Sequence, residues 1–326
     1  MTRPRKVLLL GDVNLDFLFE VAAQPPAGGD AIARNLQISP GGSSANTAII
    51  LSRLGIKTEI IACCGQDPWA DMLLKTFRNE KVGTRFLSRD LQNKTGMIFI
   101  AVDGTGERSM YSNRGANVFL DPAGIQPGMF SACNALHLSG YAFLQPPQKD
   151  AAWRALDLAA VRKIPVSIDL GVGAAAPEIL AGGLLARLDL IILSEEELRS
   201  LAPGKTTAGA MHTLLDRGVK RIGLKLGKEG CLLAEGEDRA RVPGFPVRAL
   251  DATGAGDAFS AGMIYAGQKG LSLEAGGRLA SALGALAATV RGGGSSFPPL
   301  ERLNAFLLQQ KRDERLEEIF AALGFA

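Results

Sequence analysis

Short apolar runs alternate along most of the chain with longer segments whose apolar positions recur every three or four residues. A strand buried on both faces reads as an unbroken apolar run, and a helix lying on a sheet reads with a period near 3.6. Their alternation predicts an α/β fold in three layers, a mostly parallel central sheet with helices on both faces. The run at 7–10 is a first strand, and 45–54 is a helix with Ala45, Ala48, Ile49 and Ser52 on one face and Gly55 as its stop. A strand at 58–63 leads to Asp67-Pro68, an N-cap followed by proline in the first turn, which opens a helix to residue 79. A helix at 150–162, strands at 166–170 and 188–193, and a meander at 221–226, 231–234 and 239–242 follow. Helices at 258–267 and 273–290 are rich in Ala and Gly, side chains small enough for close packing on a sheet. A charged amphipathic helix is expected from residue 300, with a role in packing or association.

Two stretches break this pattern. Segments 16–39 and 95–117 alternate with a period of two and turn at Ala27-Gly28-Gly29-Asp30 and Asp103-Gly104-Thr105-Gly106. They are expected to be hairpins that pair into a small β lid covering about 13–40 and 95–117. No repeat or low-complexity linker divides the chain, so 1–326 reads as one domain with a helical tail at 300–326.

Composition narrows the function. Of 326 residues 47% are hydrophobic and 21% charged, the balance of a globular protein. Thirty-six basic against 33 acidic residues leave a charge of +3 with no basic stripe, which argues against nucleic-acid or membrane partners. Cys63, Cys64, Cys133 and Cys231 lack C-x-x-C spacing and the chain has two histidines, so neither a zinc site nor a disulfide framework is supported. The basic start is followed by an apolar run too short for a signal or a span. A cytoplasmic protein is expected.

The chemistry concentrates in Asp251-Ala252-Thr253-Gly254-Ala255-Gly256-Asp257, between an extended segment at 247–250 and a helix opening near Asp257. Small residues let a ligand approach the backbone, and the N–H groups at a helix start bind anions. A carboxylate beside such amides suits phosphoryl transfer, in which the amides hold the moving group and the acid accepts the alcohol's proton. It equally suits a helix N-terminus stabilised by a negative charge, worth up to ~1 kcal/mol. On this segment alone the two readings balance.

The segment resembles the C-terminal signature of the ribokinase-like (PfkB) carbohydrate kinases, and Val242-Pro243-Gly244-Phe245 resembles the approach to it. Gly41-Gly42-Ser43-Ser44-Ala45-Asn46-Thr47-Ala48, running to Leu54-Gly55, resembles the N-terminal signature, in the right order and far away in the chain. The likeness extends to about Pro299. It implies an ATP-dependent kinase acting on a sugar or sugar-containing molecule, with Asp257 as general base and the amides of Gly254, Ala255 and Gly256 as anion hole. At an ordinary pKa of about 3.9 such an aspartate is already ionised at neutral pH. Sugar contacts are implied for Asn14, Asp16, Gly41, Gly42 and Asn46, and their carboxylate and amide groups suit hydroxyl pairs. Asp12, at a strand end, reads as ordinary strand termination.

On the nucleotide side, Lys225-Leu226-Gly227-Lys228-Glu229-Gly230 resembles the family's T-L-G-x-x-G turn, with Lys225 replacing a small polar residue. Ser281 falls near the adenine position. Ser194-Glu195-Glu196-Glu197 resembles the N-x-x-E motif with serine for asparagine, and is also a helix capping box. The resemblance implies Mg2+ with ATP, ordered by Glu197, and a monovalent cation such as K+ at Asp251, Thr253 and Ser296. It also implies a homodimer paired through the lid. A nucleoside or sugar-acid kinase remains an alternative, with Arg108 and Arg114 as sources of positive charge, because Tyr141 stands where a family sugar-contacting glutamate is found. A non-catalytic sugar or nucleotide sensor is a further alternative. A dinucleotide-binding oxidoreductase fails, since Leu10-Gly11-Asp12 does not begin a G-x-G-x-x-G turn.

Overall fold

A computed structural model describes residues 6–105, 107–171 and 183–325. Its strands are β1 (Lys6–Leu10), β2 (Asn14–Glu20), β3 (Arg34–Gly41), β4 (Lys57–Gly65), β5 (Gly83–Asp90), β6 (Gly96–Val102), β7 (Arg108–Asn113), β8 (Ala135–Ser139), β9 (Val166–Asp169), β10 (Leu190–Ser194), β11 (Arg221–Lys225), β12 (Cys231–Glu235) and β13 (Asp238–Val242). Nine of them form one sheet in the order β13-β12-β11-β10-β9-β8-β1-β4-β5. Every pairing from β5 across to β11 is parallel, and only the β11-β12-β13 meander is antiparallel.

Alternation along β1 sorts the core into two layers. Val7 and Leu9 face one helical layer and Leu8 and Leu10 the other, and none is accessible to solvent. The first layer holds α1 (Ser43–Arg53) and α2 (Pro68–Asn79), the second α3 (Gln148–Val161), α4 (Glu195–Leu201) and α5 (Thr207–Asp216). On the first side again lie α6 (Ala255–Lys269), α7 (Leu273–Ala287), α8 (Leu300–Leu308) and α9 (Glu314–Leu323). The three-layer α/β expectation therefore holds. No described helix is long and apolar enough to cross a membrane.

The two inserts form a separate four-stranded sheet in the order β3-β2-β6-β7. Each is an antiparallel hairpin, and the hairpins join through parallel β2 and β6, with Asn14 opposite Gly96. Asp67 ties this lid to the scaffold. It caps α2 through Ala70 N at 3.0 Å and accepts from the Thr95 N–H and hydroxyl, both at 2.8 Å.

Several local expectations change. The tail is two helices, because Asp313 caps α9 through Leu316 N at 3.0 Å and pairs with Arg278 of α7. Leu303, Leu307, Leu316 and Ile319 are fully buried there, so the tail is part of the core. α7 ends at Ala287, since the Ala288 carbonyl turns to accept from Leu250 N (2.8 Å) and Asp251 N (3.3 Å). That anchor also keeps 247–250 out of both sheets. β5 was not foreseen because, as an edge strand, it carries no clean apolar run. In β8 the apolar pattern is interrupted by the buried polar residues His137 and Ser139.

Candidate active site

The turn before α6 is braced by one carboxylate. Asp251 Oδ1 accepts from Thr253 N at 2.9 Å and Thr253 Oγ1 at 2.7 Å, and its Oδ2 accepts from Gly292 N at 2.9 Å. Gly254 then takes a left-handed conformation, φ 76°, which only glycine adopts cheaply, and opens α6 without a side-chain cap. Ala255 N–H is used locally, donating to Ala252 O at 3.2 Å, whereas those of Gly254 and Gly256 have no partner among the described residues. The uncapped pair is a ready site for an anion.

Asp257 stands in the first turn of α6. Its Oδ2 accepts from Asn46 Nδ2 at 2.7 Å, and Asn46 Oδ1 in turn accepts from Gly294 N at 2.7 Å, so α1 fixes the carboxylate's orientation. Burial first, and the charge of Asp169 second, push its pKa up to about 6, with Asn46, Ser43 and Lys225 opposing. The acid is thus a stronger base than an ordinary aspartate, a departure from the expected unperturbed value.

On the lid side of this turn lies a cavity of about 420 Å³, whose wall includes Asn14, Asp16, Gly42, Asn46, Thr253 and Asp257. Asn14 Oδ1 accepts from Asn117 Nδ2 at 2.8 Å. Asp16 is buried over Gly41 and its Oδ1 has no hydrogen-bond partner. Burial, then the charges of Asp257 and Asp251, raise its pKa to about 7. Asp12 does more than end a strand. It takes a bidentate pair from Arg114 (Nε 2.7 Å, Nη2 2.8 Å) and a third bond from Gln148 Nε2 at 2.8 Å. Arg114 is thereby tied to Asp12, while its Nη1 is buried without a hydrogen-bond partner and the residue borders the cavity. Arg108 reaches from β7 of the lid to the turn, donating to Thr253 Oγ1 at 3.0 Å with Asp251 Oδ1 at 3.6 Å. Tyr141 also lines this cavity.

A second cavity, about 600 Å³, opens on the other side and shares Ala252 with the first. Lys225, Gly227, Gly230, Gly256 and Ser281 line it, with Phe245 and Phe259 among its apolar surfaces. Lys225 Nζ donates to Asp169 Oδ1 at 2.8 Å, and Ser281 Oγ contacts Cys231 Sγ at 3.5 Å. Ser194 and Glu197 form a complete capping box, with Ser194 N to Glu197 Oε2 at 2.8 Å and Glu197 N to Ser194 Oγ at 3.2 Å. They line neither cavity and lie beside Lys225, opposite Ser194 in the sheet. Burial raises the Glu197 pKa. Ser296 and Asp251 sit behind the turn around Gly292, whose Cβ would stand 2.9 Å from Ser296 Oγ.

Sequence reasoning missed the pairing of Asp12 with Arg114 and the parts that Gln148, Asp169 and Ser260 play in this region. A signal existed for two of them. Asp12 follows β1 and Asp169 ends β9, and in a parallel sheet the carboxyl ends of strands are where ligands gather.

A family model described as pfkB family carbohydrate kinase matches residues 4–300. The chain is 28% identical over 309 residues to a ribokinase of Haemophilus influenzae, covering 93% of this chain and 99% of that protein. It is 30% identical over 308 residues to a fructokinase of Klebsiella pneumoniae, covering 90% of this chain and 96% of that one. A crystal structure described as an E. coli ribokinase II in complex with ATP and Mg2+ aligns with a TM-score of 0.82 at 25% identity, over 94% of this chain and 100% of that chain.

Proposed function

Because the chain belongs to the pfkB family of carbohydrate kinases, we propose that it transfers the γ-phosphoryl group of ATP to a hydroxyl of a neutral sugar or sugar-containing small molecule. The observation that carries this reading is the position of Asp257 and the Gly254 and Gly256 amides on the partition between two cavities. ATP fits the larger cavity, where apolar walls suit a base and Lys225 and the amides suit its phosphates. The acceptor fits the smaller one. In-line transfer then passes over the amides, which stabilise charge on the phosphoryl oxygens, while Asp257 takes the alcohol's proton. With a pKa of about 6, Asp257 is mostly ionised at neutral pH.

Mg2+ takes most of its ligands from phosphates and water. Among the described residues no group of three or more His, Cys, Asp or Glu is placed to hold a metal ion. Glu197 would act on it through water, and the ion would neutralise phosphate charge. K+ would bind through Asp251, Thr253 and Ser296, in competition with Arg108, which donates to Thr253 Oγ1 at 3.0 Å; unchanged activity with a large organic cation in its place would remove that role. The exposed lid residues Ile32, Leu36 and Tyr111 suit pairing with a second copy, which sedimentation would test.

Charge favours a neutral acceptor. Asp12 and Arg114 pair, and Asp16 and Asp257 outnumber Arg108 in the wall of the cavity. An anionic sugar acid would meet Arg108, already bonded to Thr253 Oγ1 and near Asp251, and the buried Nη1 of Arg114, already paired through its other nitrogens with Asp12. An ADP-release screen over pentoses, hexoses, nucleosides and sugar acids decides. Turnover with a neutral polyol supports the proposal, turnover confined to acids shifts the substrate class, and no release with any acceptor leaves a sensor.

A further inference from the structure

Lys225 ends β11 and Asp169 ends β9, and their side chains meet across β10. Lys225 Nζ donates to Asp169 Oδ1 at 2.8 Å. The other oxygen, Asp169 Oδ2, accepts from Ser260 Oγ at 2.6 Å. Ser260 lies on α6 one turn beyond Asp257, so the catalytic helix and the nucleotide strand share one carboxylate. Asp169 is 5% exposed, and Lys225 at 19% keeps an open side toward the larger cavity. Its ammonium lies 3.5 Å from where a Cβ on Gly256 would stand, so it adjoins the residue whose amide is uncapped.

We propose that Lys225 completes the anion hole as its side-chain cation, and that Asp169, steadied by Ser260, is the positioning residue that aims it at the phosphoryl path. This rests on the kinase reading above and deepens it. An unpaired lysine has a long stem with many rotamers, so its charge contributes only when something fixes it. The buried pair fixes it before any nucleotide arrives, and preorganised charge in a dry site acts most strongly on the transition state. Asp169 approaches from β9, Glu197 from α4 and Asp257 from α6. From β8 comes His137, which burial keeps neutral with a pKa lowered to about 4. Burial opposes the ammonium and the three carboxylates outweigh it, with Asp169 the largest support. Without the Asp169 charge, the lysine loses its proton at lower pH.

The test compares Asp169→Asn, Ser260→Ala, Lys225→Met and the double variant Asp169→Asn/Lys225→Met. Wild-type turnover tests the kinase reading, and each variant relative to wild type tests the positioning. Asp169→Asn is expected to lower kcat about 10- to 100-fold, the scale of one charge-assisted bond. Its sugar KM should stay within a few-fold of wild type, and its kcat profile should gain an alkaline fall that wild type lacks. Ser260→Ala should move the same limb by less. Lys225→Met should weaken binding of ATP more than of ADP, and adding Asp169→Asn to it should cost little more. Full additivity of the Asp169→Asn and Lys225→Met losses, or no alkaline limb in Asp169→Asn and in Ser260→Ala, overturns the proposal. If Asp169→Asn fails to fold by circular dichroism, Ser260→Ala and the ATP-to-ADP comparison for Lys225→Met decide alone. A Ser260→Ala profile identical to wild type, together with equal losses for ATP and ADP, overturns it.

Discussion

The two cavities that meet at the Gly254–Asp257 turn are built in different ways. Among the described residues, the larger is walled by 225–288, a single stretch of chain whose glycines and alanines leave room for the ligand. The smaller gathers residues 12–257, from the ends of β1 and β2, α1, the lid strands and the turn itself, and its wall carries buried carboxylates. One side is a local fold of the chain with few charges; the other is an assembly of distant, mutually repelling acids. A local wall forms whenever its stretch folds. An assembled wall depends on every part that contributes to it and stores electrostatic cost, as the raised pKa values of Asp16 and Asp257 record. Acceptor choice is therefore expected to be tunable through the lid with the nucleotide side unaffected.

The sharpest way to break this comparison is at the partition. Asp257→Asn should lower turnover by ~10²–10⁴ while leaving the fold and ATP binding intact, because only the proton acceptor is lost. Steady-state kinetics beside ATP titration checks this. For the wild type, the rate should climb as pH rises through about 6 and then level, since the protonated acid cannot accept a proton. A rate already flat from pH 5 would contradict the raised value.

Changes confined to one side come next. Asp16→Ala should raise the acceptor KM about 10- to 100-fold, the value of a hydrogen bond to a charged group, and leave the ATP KM alone. Gly41→Ala should do the same by displacement, because its Cβ would stand 2.1 Å from Asp16 Oδ2. Parallel increases in both KM values would mean that the cavities are not independent.

Asp16 also predicts a stability effect. Its folded pKa of about 7 lies above the ordinary 3.8, so folding favours the protonated acid and this group's contribution is lost as pH rises from about 4 to above 7. Asp16→Asn should therefore raise the melting temperature of the ligand-free protein at pH 8 and hardly change it below pH 4. An equal shift at both pH values would point to packing instead. The smallest effect is expected for Ser281→Ala. It removes only a long contact to Cys231, and the ATP KM should change less than about threefold, within the scale of a single weak hydrogen bond.

Local pattern and spacing alone determined the layered sheet, the capping box at Ser194, the proline-led start of α2 and the pairing of a helix-start carboxylate with small residues at Asp257. Each follows from residues near one another in the chain, where periodicity and capping chemistry act. Only the tertiary structure decided that Asp12 is cancelled by Arg114 and that Lys225 is held by Asp169. It alone decided that Ala255 N–H is already engaged, and that Asp257 is a shifted base rather than an ordinary one. The reason is electrostatic. A side chain's charge state depends on burial and on neighbours brought from remote segments, and neither is written in the residues beside it.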